Sequence, residues 1–217
     1  MREWTRDSLR ESMLLYAVTD RAWLNGRSLE ECVQQAIEGG ATFVQLREKE
    51  APFEEIVTLG KKLTMLCRAA GVPFVVDDDV QAAIACGADG VHVGQDDLAC
   101  AKARELLGPD AIVGVSAQTV EQALKAQAEG ADYLGVGALI PTPTKPDAVD
   151  VTLDELRSIC AAVDIPVVGI GGLNARTIPS IAGNGADGAA VVSAIFAADN
   201  CLQATCDLRE VCERTFR

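Results

Sequence analysis

The chain has 217 residues, of which 49% are hydrophobic, and its formal net charge is −13. This length and apolar content suffice for one well-filled core, and they fit a single domain, 1–217, better than two. The acidic balance, without any run of lysine or arginine, argues against nucleic acid or an anionic membrane surface as a partner. An anionic substrate therefore has to be held by local cations or by a metal ion.

Cysteine and histidine usage indicates a reducing compartment. The eight cysteines lie mostly in helical patterns without a Cys-x-x-Cys pair, and a single histidine gives little support for a zinc site. The N-terminal segment lacks a signal-like apolar region, and no apolar run reaches membrane-spanning length. We expect a cytoplasmic protein with reduced thiols. The sequence does not determine the oligomeric state, and a homo-oligomer is compatible with it.

Short apolar segments alternate with helical patterns along the chain, which predicts βαβ units and a parallel sheet. The predicted strands lie near residues 14–18, 42–47, 73–77, 90–93, 112–115, 133–136, 165–170 and 188–192. The predicted helices lie near residues 28–38, 53–70, 80–86, 98–107, 120–129, 153–162, 175–182 and 201–214.

A repeated Gly-Ala phrase indicates that this sheet closes on itself. It precedes the second, fourth, sixth and eighth strands, at Gly40, Gly87, Gly130 and Gly185, and Asp follows it in the last three copies. Each glycine fits the left-handed end of a helix that leads into the next strand. A repeat at intervals of two βα units predicts an α/β fold, a compact single (β/α)8 TIM barrel.

Barrel enzymes carry their chemistry at the carboxyl ends of the strands. The second strand leads into Gln45, Arg47 and Lys49, which share one side if the extended conformation continues. Arginine offers a planar fork to phosphate oxygens, and lysine adds a mobile point charge. A solvated charge cluster is the alternative.

Acidic side chains follow the third and fourth strands. Carboxylates on adjacent loops repel one another unless a cation lies between them, and Mg²⁺ binds one or two carboxylates, several waters and substrate phosphates. We therefore predict a magnesium site that includes Asp78 and Asp97. Helix capping by Asp79 and Asp97 is the alternative explanation. His92, inside the fourth strand, is expected to be a packed, hydrogen-bonded core residue rather than a general base.

The loops after the next two strands carry hydroxyl groups. Ser116 ends the fifth strand, where it either contacts a ligand or caps a helix. After the sixth strand, three prolines stiffen a loop that holds Thr142, Thr144 and Lys145. Such a loop is typical of a substrate clamp, with a proline-rich connection as the alternative.

The last two strands end in a pattern that favours anion binding. Gly171 and Gly172 follow the seventh strand, Asn174 is placed to cap the next helix, and Ser193 begins a helix directly after Val192. Unpaired amides at helix starts attract phosphate, and TIM barrels hold it on these two loops. The alternative is ordinary helix capping. A metal-assisted diphosphate site beside this monophosphate site predicts a transfer reaction in which diphosphate leaves.

Read together, these motifs resemble those of the thiamine phosphate synthase family over nearly the whole chain. The matching phrases are YAVTDR at 16–21, QLREK at 45–49, HVGQDD at 92–97, GVSAQT at 114–119, PTPTK at 141–145, GIGGLN at 169–174 and ADGAAVVSAI at 186–195.

This resemblance implies a transferase that joins 4-amino-2-methyl-5-hydroxymethylpyrimidine diphosphate to a thiazole phosphate, with Mg²⁺ as cofactor. The diphosphate leaves first and the thiazole nitrogen captures the resulting cation, so no general base is needed. The catalytic residues would be Arg47, Lys49, Ser116 and Lys145. The substrate would be bound by these four together with Gln45, Asp77, Thr142, Thr144, Gly172, Val192 and Ser193, and Mg²⁺ by Asp78 and Asp97.

Two positions depart from the family pattern. Asp77 stands where the family usually has asparagine, so we expect it to join the metal shell or to contact the pyrimidine amine. Ala138 stands in place of a proline, which would loosen the clamp loop. The alternatives to a synthase are a thiazole phosphate tautomerase, a phospholigand-binding sensor without turnover, and another phosphate-binding barrel such as a pentose phosphate epimerase.

Overall fold

The computed structural model describes residues 4–24, 26–95, 98–140 and 150–217. Eight parallel strands pair in chain order, and β8 pairs with β1 to close the barrel. The strands are β1 Leu15–Val18, β2 Phe43–Leu46, β3 Phe74–Asp77, β4 Gly90–Val93, β5 Ile112–Ala117, β6 Tyr133–Val136, β7 Val167–Ile170 and β8 Gly188–Val191. The predicted TIM barrel is confirmed.

Helices connect the strands, and most of them pack on the outside of the barrel. The helices are α1 Arg6–Ser12, α2 Leu29–Glu38, α3 Phe53–Ala70, α4 Val80–Cys86, α5 Cys100–Leu107, α6 Val120–Ala128, α7 Leu153–Ala162, α8 Ser193–Phe196 and α9 Cys201–Phe216, with short 3-10 helices at Arg21–Trp23 and Ile178–Ile181. In the part of the chain that the structure describes, no helix is long and apolar enough to cross a membrane.

The strands are apolar on both sides because they separate two cores. Outward-facing side chains pack against the helices, while a smaller cluster fills the barrel interior. The interior cluster includes Tyr16, Phe43 and Tyr133, whose rings contact one another. Leu9 and Met13 belong to the same cluster, so α1 covers the amino-terminal end of the barrel.

The repeated phrase fixes the amino-terminal ends of four strands. Its glycines have positive φ angles of 102°, 70°, 94° and 89° at Gly40, Gly87, Gly130 and Gly185, as predicted. The residue two positions after each glycine accepts a hydrogen bond from a backbone N–H at the start of the preceding odd-numbered strand. These acceptors are Thr42 for Leu15, Asp89 for Phe74, Asp132 for Val113 and Asp187 for Val167. The repeat therefore locks neighbouring strand pairs, away from the carboxyl ends.

The predicted bounds are wrong in several places. Helix α1 was not predicted, β7 begins at Val167 rather than residue 165, and α5 begins at Cys100 rather than 98. The largest error is the predicted helix 175–182, where only a 3-10 turn forms. Asn174 does not cap an α-helix, because its Oδ1 accepts from the amide of Arg176 two residues later and closes a local turn.

Candidate active site

A cavity of about 180 Å³ opens among the carboxyl ends of the strands. Every strand or the loop after it contributes to the lining. The predicted site residues that line it are Gln45, Arg47, Lys49, Asp77, Asp78, Ser116, Gly172, Val192 and Ser193. The other predicted site residues, Asp97, Thr142, Thr144 and Lys145, lie outside the described residues, and their roles stay predictions.

The two cations after β2 are paired with carboxylates at the cavity edge. Lys49 Nζ lies 3.1 Å from Asp77 Oδ2 and also bonds to Asp78. Arg47 Nε lies 3.7 Å from Asp77 Oδ2, and another guanidinium nitrogen lies 3.9 Å from Asp20 Oδ2. Both distances are longer than a hydrogen bond, so these ion pairs leave the guanidinium N–H groups able to donate to phosphate oxygens.

Lys49 keeps its charge in this position. Burial lowers the pKa of its ammonium group, but the carboxylates of Asp77 and Asp78 act in the opposite direction, and the net shift is upward. The cavity edge therefore presents a permanent cation on a side chain that remains about half exposed, at 47%. This favours an anionic ligand despite the acidic chain.

Three consecutive aspartates after β3 have different roles. Asp79 caps α4, because its Oδ1 accepts from the amide of Ala82 at 2.9 Å. Asp78 adopts a φ angle of 60°, in the left-handed region that side chains other than glycine seldom occupy. Its amide donates to the carbonyl of His92 at 2.8 Å, which holds this turn against β4. The capping alternative is thus confirmed for Asp79, while Asp77 and Asp78 line the cavity. For Asp97, which lies outside the described residues, both explanations stay predictions.

The carboxylate of Asp78 suits a hard divalent cation. It is part-exposed at the cavity edge, and Mg²⁺ needs only one or two protein carboxylates when waters and phosphate oxygens complete its shell. Among the described residues, no group of three or more His, Cys, Asp or Glu side chains could hold a metal ion. The predicted second ligand, Asp97, is not among them.

Glycine is required where the loop after β7 passes the loop after β6. Gly171 and Gly172 have φ angles of 95° and 63°. A Cβ atom on Gly172 would lie 2.7 Å from both the Cβ and the carbonyl oxygen of Ile140, and one on Gly171 would lie 2.6 Å from Ala138. The bare backbone therefore borders the cavity at this point. The next loop adds Val192 and Ser193, where α8 begins with amides that have no acceptor inside the helix.

A chain of hydrogen bonds crosses the barrel beneath the cavity. It runs from Ser116 Oγ to His92 Nε2 at 3.0 Å, from His92 Nδ1 to Tyr133 OH at 2.9 Å, and from Tyr133 OH to Tyr16 OH at 2.7 Å. Tyr16 OH then donates to Gln45 Oε1 at 3.1 Å, and Gln45 Nε2 donates to Asp77 Oδ1 at 2.6 Å.

This chain explains His92 and adds two residues that the sequence prediction missed. His92 is 8% exposed and bonded through both ring nitrogens, so its predicted place in the core is confirmed. Tyr16 and Tyr133 were not predicted as part of the site. The sequence feature that could have indicated them is a tyrosine inside a buried strand, because a buried tyrosine hydroxyl needs a polar partner.

Comparison with known proteins settles the family. The sequence model of the family described as thiamine monophosphate synthase matches residues 15–195. The chain belongs to this family. Thiamine-phosphate synthase of Moorella thermoacetica is 47% identical to it over 201 residues, which are 92% of this chain and 96% of that protein.

A second relative, from Oryza sativa subsp. japonica, is named "Probable thiamine biosynthetic bifunctional enzyme, chloroplastic". It is 44% identical over 214 residues, but these are 95% of this chain and only 39% of that longer protein. A solved structure of thiamine phosphate pyrophosphorylase from Pyrococcus furiosus superposes with a TM-score of 0.89 and 41% identity, over 96% of this chain and all of that chain (100%).

These similarities confirm the predicted family and the predicted enzyme class, a transferase of thiamine biosynthesis. They favour a thiamine-phosphate synthase over the tautomerase and the non-catalytic sensor.

Proposed function

We propose that this enzyme joins 4-amino-2-methyl-5-hydroxymethylpyrimidine diphosphate to a thiazole phosphate and releases thiamine phosphate and diphosphate. The observation that carries the proposal is the lining of one cavity. Arg47 and Lys49 supply cations after β2, while Gly172, Val192 and Ser193 supply bare or helix-starting backbone after β7 and β8. A tautomerase of a thiazole phosphate would need the backbone that binds one phosphate, but it would not need the cations after β2.

The cationic pair supports departure of the diphosphate. When the bond between the pyrimidine methylene carbon and the diphosphate oxygen breaks, the electron pair leaves with the oxygen. Arg47 and Lys49 would stabilise the charge that develops there, more in the transition state than in the bound substrate. The thiazole nitrogen then donates its lone pair to the methylene carbon to form the new C–N bond. No proton changes place, so the site needs no general base.

The remaining site residues would orient the two substrates. Gln45, Asp77 and Ser116 lie on the cavity wall and carry the polar groups that a pyrimidine ring can bond to. The backbone at Gly172, Val192 and Ser193 would bind the phosphoryl group of the thiazole. The predicted clamp residues Thr142, Thr144 and Lys145 would act with them.

We propose that Asp78 and Asp97 hold Mg²⁺. This proposal is supported by the carboxylate of Asp78. Lys49 neutralises its negative charge in the structure, and a divalent cation would neutralise that charge equally well. Bound Mg²⁺ would neutralise part of the charge on the diphosphate and so favour its departure.

We also propose that residues 1–217 act as one catalytic domain in the cytoplasm. The single closed barrel supports the first statement, and eight cysteines without a disulfide among them fit a reducing compartment.

The test is a turnover assay with both substrates and MgCl2, in which thiamine phosphate is followed by chromatography and diphosphate by a coupled assay. We expect equal amounts of the two products and no reaction in excess EDTA. Interconversion of thiazole phosphate isomers without coupling would point to the tautomerase instead. Binding of both ligands without product would point to the sensor.

A further inference from the structure

The buried hydrogen-bond chain has a direction, and its two ends fix it. Six side chains take part, and each hydrogen bond joins residues on two different strands. In order they are Asp77, Gln45, Tyr16, Tyr133, His92 and Ser116. Asp77 and Ser116 both line the cavity, whereas Tyr16 and Tyr133 are about 1% and 0% exposed.

The direction starts at the carboxylate. An ionised carboxylate only accepts hydrogen bonds, so Gln45 must turn its amide nitrogen towards Asp77. The amide oxygen of Gln45 then faces Tyr16 and can only accept. Tyr16 therefore donates its single hydroxyl hydrogen to Gln45.

The direction continues through the two phenols. Burial raises the pKa of both Tyr16 and Tyr133, so each keeps its hydrogen at neutral pH. Because Tyr16 has already donated, the bond between the hydroxyls requires Tyr133 to donate to Tyr16. Tyr133 then has no hydrogen left for His92, and the imidazole must donate from Nδ1. A neutral imidazole protonated at Nδ1 accepts at Nε2, so Ser116 donates its hydrogen there.

We propose that Asp77 is a positioning residue that sets the direction of this chain and thereby presents Ser116 Oγ to the cavity as a hydrogen-bond acceptor. The hydroxyl hydrogen of Ser116 is committed to His92. The lone pairs of its oxygen face the cavity, so they favour a substrate group that donates a hydrogen bond, such as an exocyclic amine on the pyrimidine. Only the identity of this donor rests on the proposed function.

An asparagine at position 77 would reverse the chain. Lys49 Nζ lies 3.1 Å from Asp77 Oδ2, and an ammonium group, like an amide N–H, only donates, so the amide oxygen of Asn would face Lys49. The Asn amide nitrogen would then face Gln45, which would turn over and donate to Tyr16. Every later bond would invert, and His92 would carry its hydrogen on Nε2 and donate to Ser116.

Because His92 is the single histidine of the chain, its tautomer can be measured without assignment. The experiment is a long-range ¹H–¹⁵N spectrum of the 217-residue protein with ¹⁵N-labelled histidine, at pH 7.5, without substrate. Nε2 couples strongly to both ring carbon protons and Nδ1 mainly to one, which identifies the protonated nitrogen. We expect the neutral Nδ1–H tautomer in the wild type and the Nε2–H tautomer in Asp77→Asn.

A control separates the chain from local effects. Tyr133→Phe removes the link between Tyr16 and His92, so Asp77→Asn made in that background should leave the tautomer unchanged. An Nε2–H tautomer or an imidazolium in the wild type would overturn the proposal, even if both variants failed to fold. So would an Nδ1–H tautomer that persists in Asp77→Asn. The spectrum needs no turnover, so its outcome is independent of whether the synthase assay succeeds.

Discussion

Replacing Gly172 by alanine should weaken binding of the thiazole phosphate and also lower stability. The glycine has a φ angle of 63°, and a Cβ atom there would meet two atoms of Ile140 at 2.7 Å. The left-handed conformation costs a non-glycine residue about 1–2 kcal/mol. Relief of the contact has to move either Ile140 or the amides that border the cavity.

The chain offers a matched control in Gly183. Its φ angle is 71°, and a Cβ atom there would have nothing within 4 Å. Gly183→Ala therefore carries the backbone cost alone and should lower the melting temperature by about 2–8 °C for a protein of this size. Gly172→Ala should lower it further because of the contact with Ile140.

The ligand-binding effect follows from the amides. Each hydrogen bond to a charged phosphate contributes about 1.5–3 kcal/mol, so displacement of one amide should raise the KM for the thiazole phosphate about 10- to 150-fold. The KM for the pyrimidine diphosphate should stay within about twofold. Steady-state kinetics with each substrate varied in turn, together with thermal unfolding, measures all of these quantities. Equal effects of Gly172→Ala and Gly183→Ala, or a larger change in the KM for the pyrimidine substrate, would show that Gly172 does not position the amides that bind the thiazole phosphate.

Three further predictions concern stability and reactivity. Asp187→Ala should lower the free energy of unfolding by about 1–3 kcal/mol because it leaves the amide of Val167 without its acceptor, whereas Asp187→Asn should lower it less. Unchanged stability of the alanine variant would contradict the role of the repeat in joining neighbouring strands. The carboxylates raise the pKa of Lys49 above its ordinary value of 10.5, so its ion pairs should stabilise the folded protein below that pH and stop doing so as the pH rises through the folded-state pKa. The difference in denaturant midpoint between wild type and Lys49→Met should therefore disappear only in strong alkali. Burial raises the pKa of Cys67 to about 12 and that of Cys100 to about 11, so both should resist a thiol reagent at pH 8 until the protein is denatured, and rapid labelling of the native protein would argue against their burial.

Much of the fold could be predicted because each strand is buried on both faces. Such strands read as continuous apolar runs, and the glycine repeat marks the even-numbered ones. Helix α1 escaped prediction because only Leu9 within it is buried. The predicted helix after β7 failed because side chains at Asn174 and Thr177 bond to nearby backbone and hold local turns.

The site was predicted in its composition but not in its internal contacts. Strand ends indicated which residues would line the cavity. Sequence could not show that Lys49 pairs with Asp77, because that contact depends on the register between β2 and β3. It also could not show that Tyr16 meets Tyr133, since those residues are 117 positions apart and touch only across the closed barrel.

We propose that one cavity holds two separate anion sites, and equilibrium ligand binding by the Arg47→Ala variant distinguishes them. Titration calorimetry would measure the affinity of the pyrimidine diphosphate and of the thiazole phosphate, each alone with MgCl2. Arg214→Ala is the matched control, because it removes the same charge from a side chain that is 71% exposed on α9. We expect Arg47→Ala to weaken the affinity for the diphosphate about 10- to 150-fold and to leave the affinity for the thiazole phosphate within about twofold of wild type. An equal loss of affinity for both ligands would rule out two separate sites.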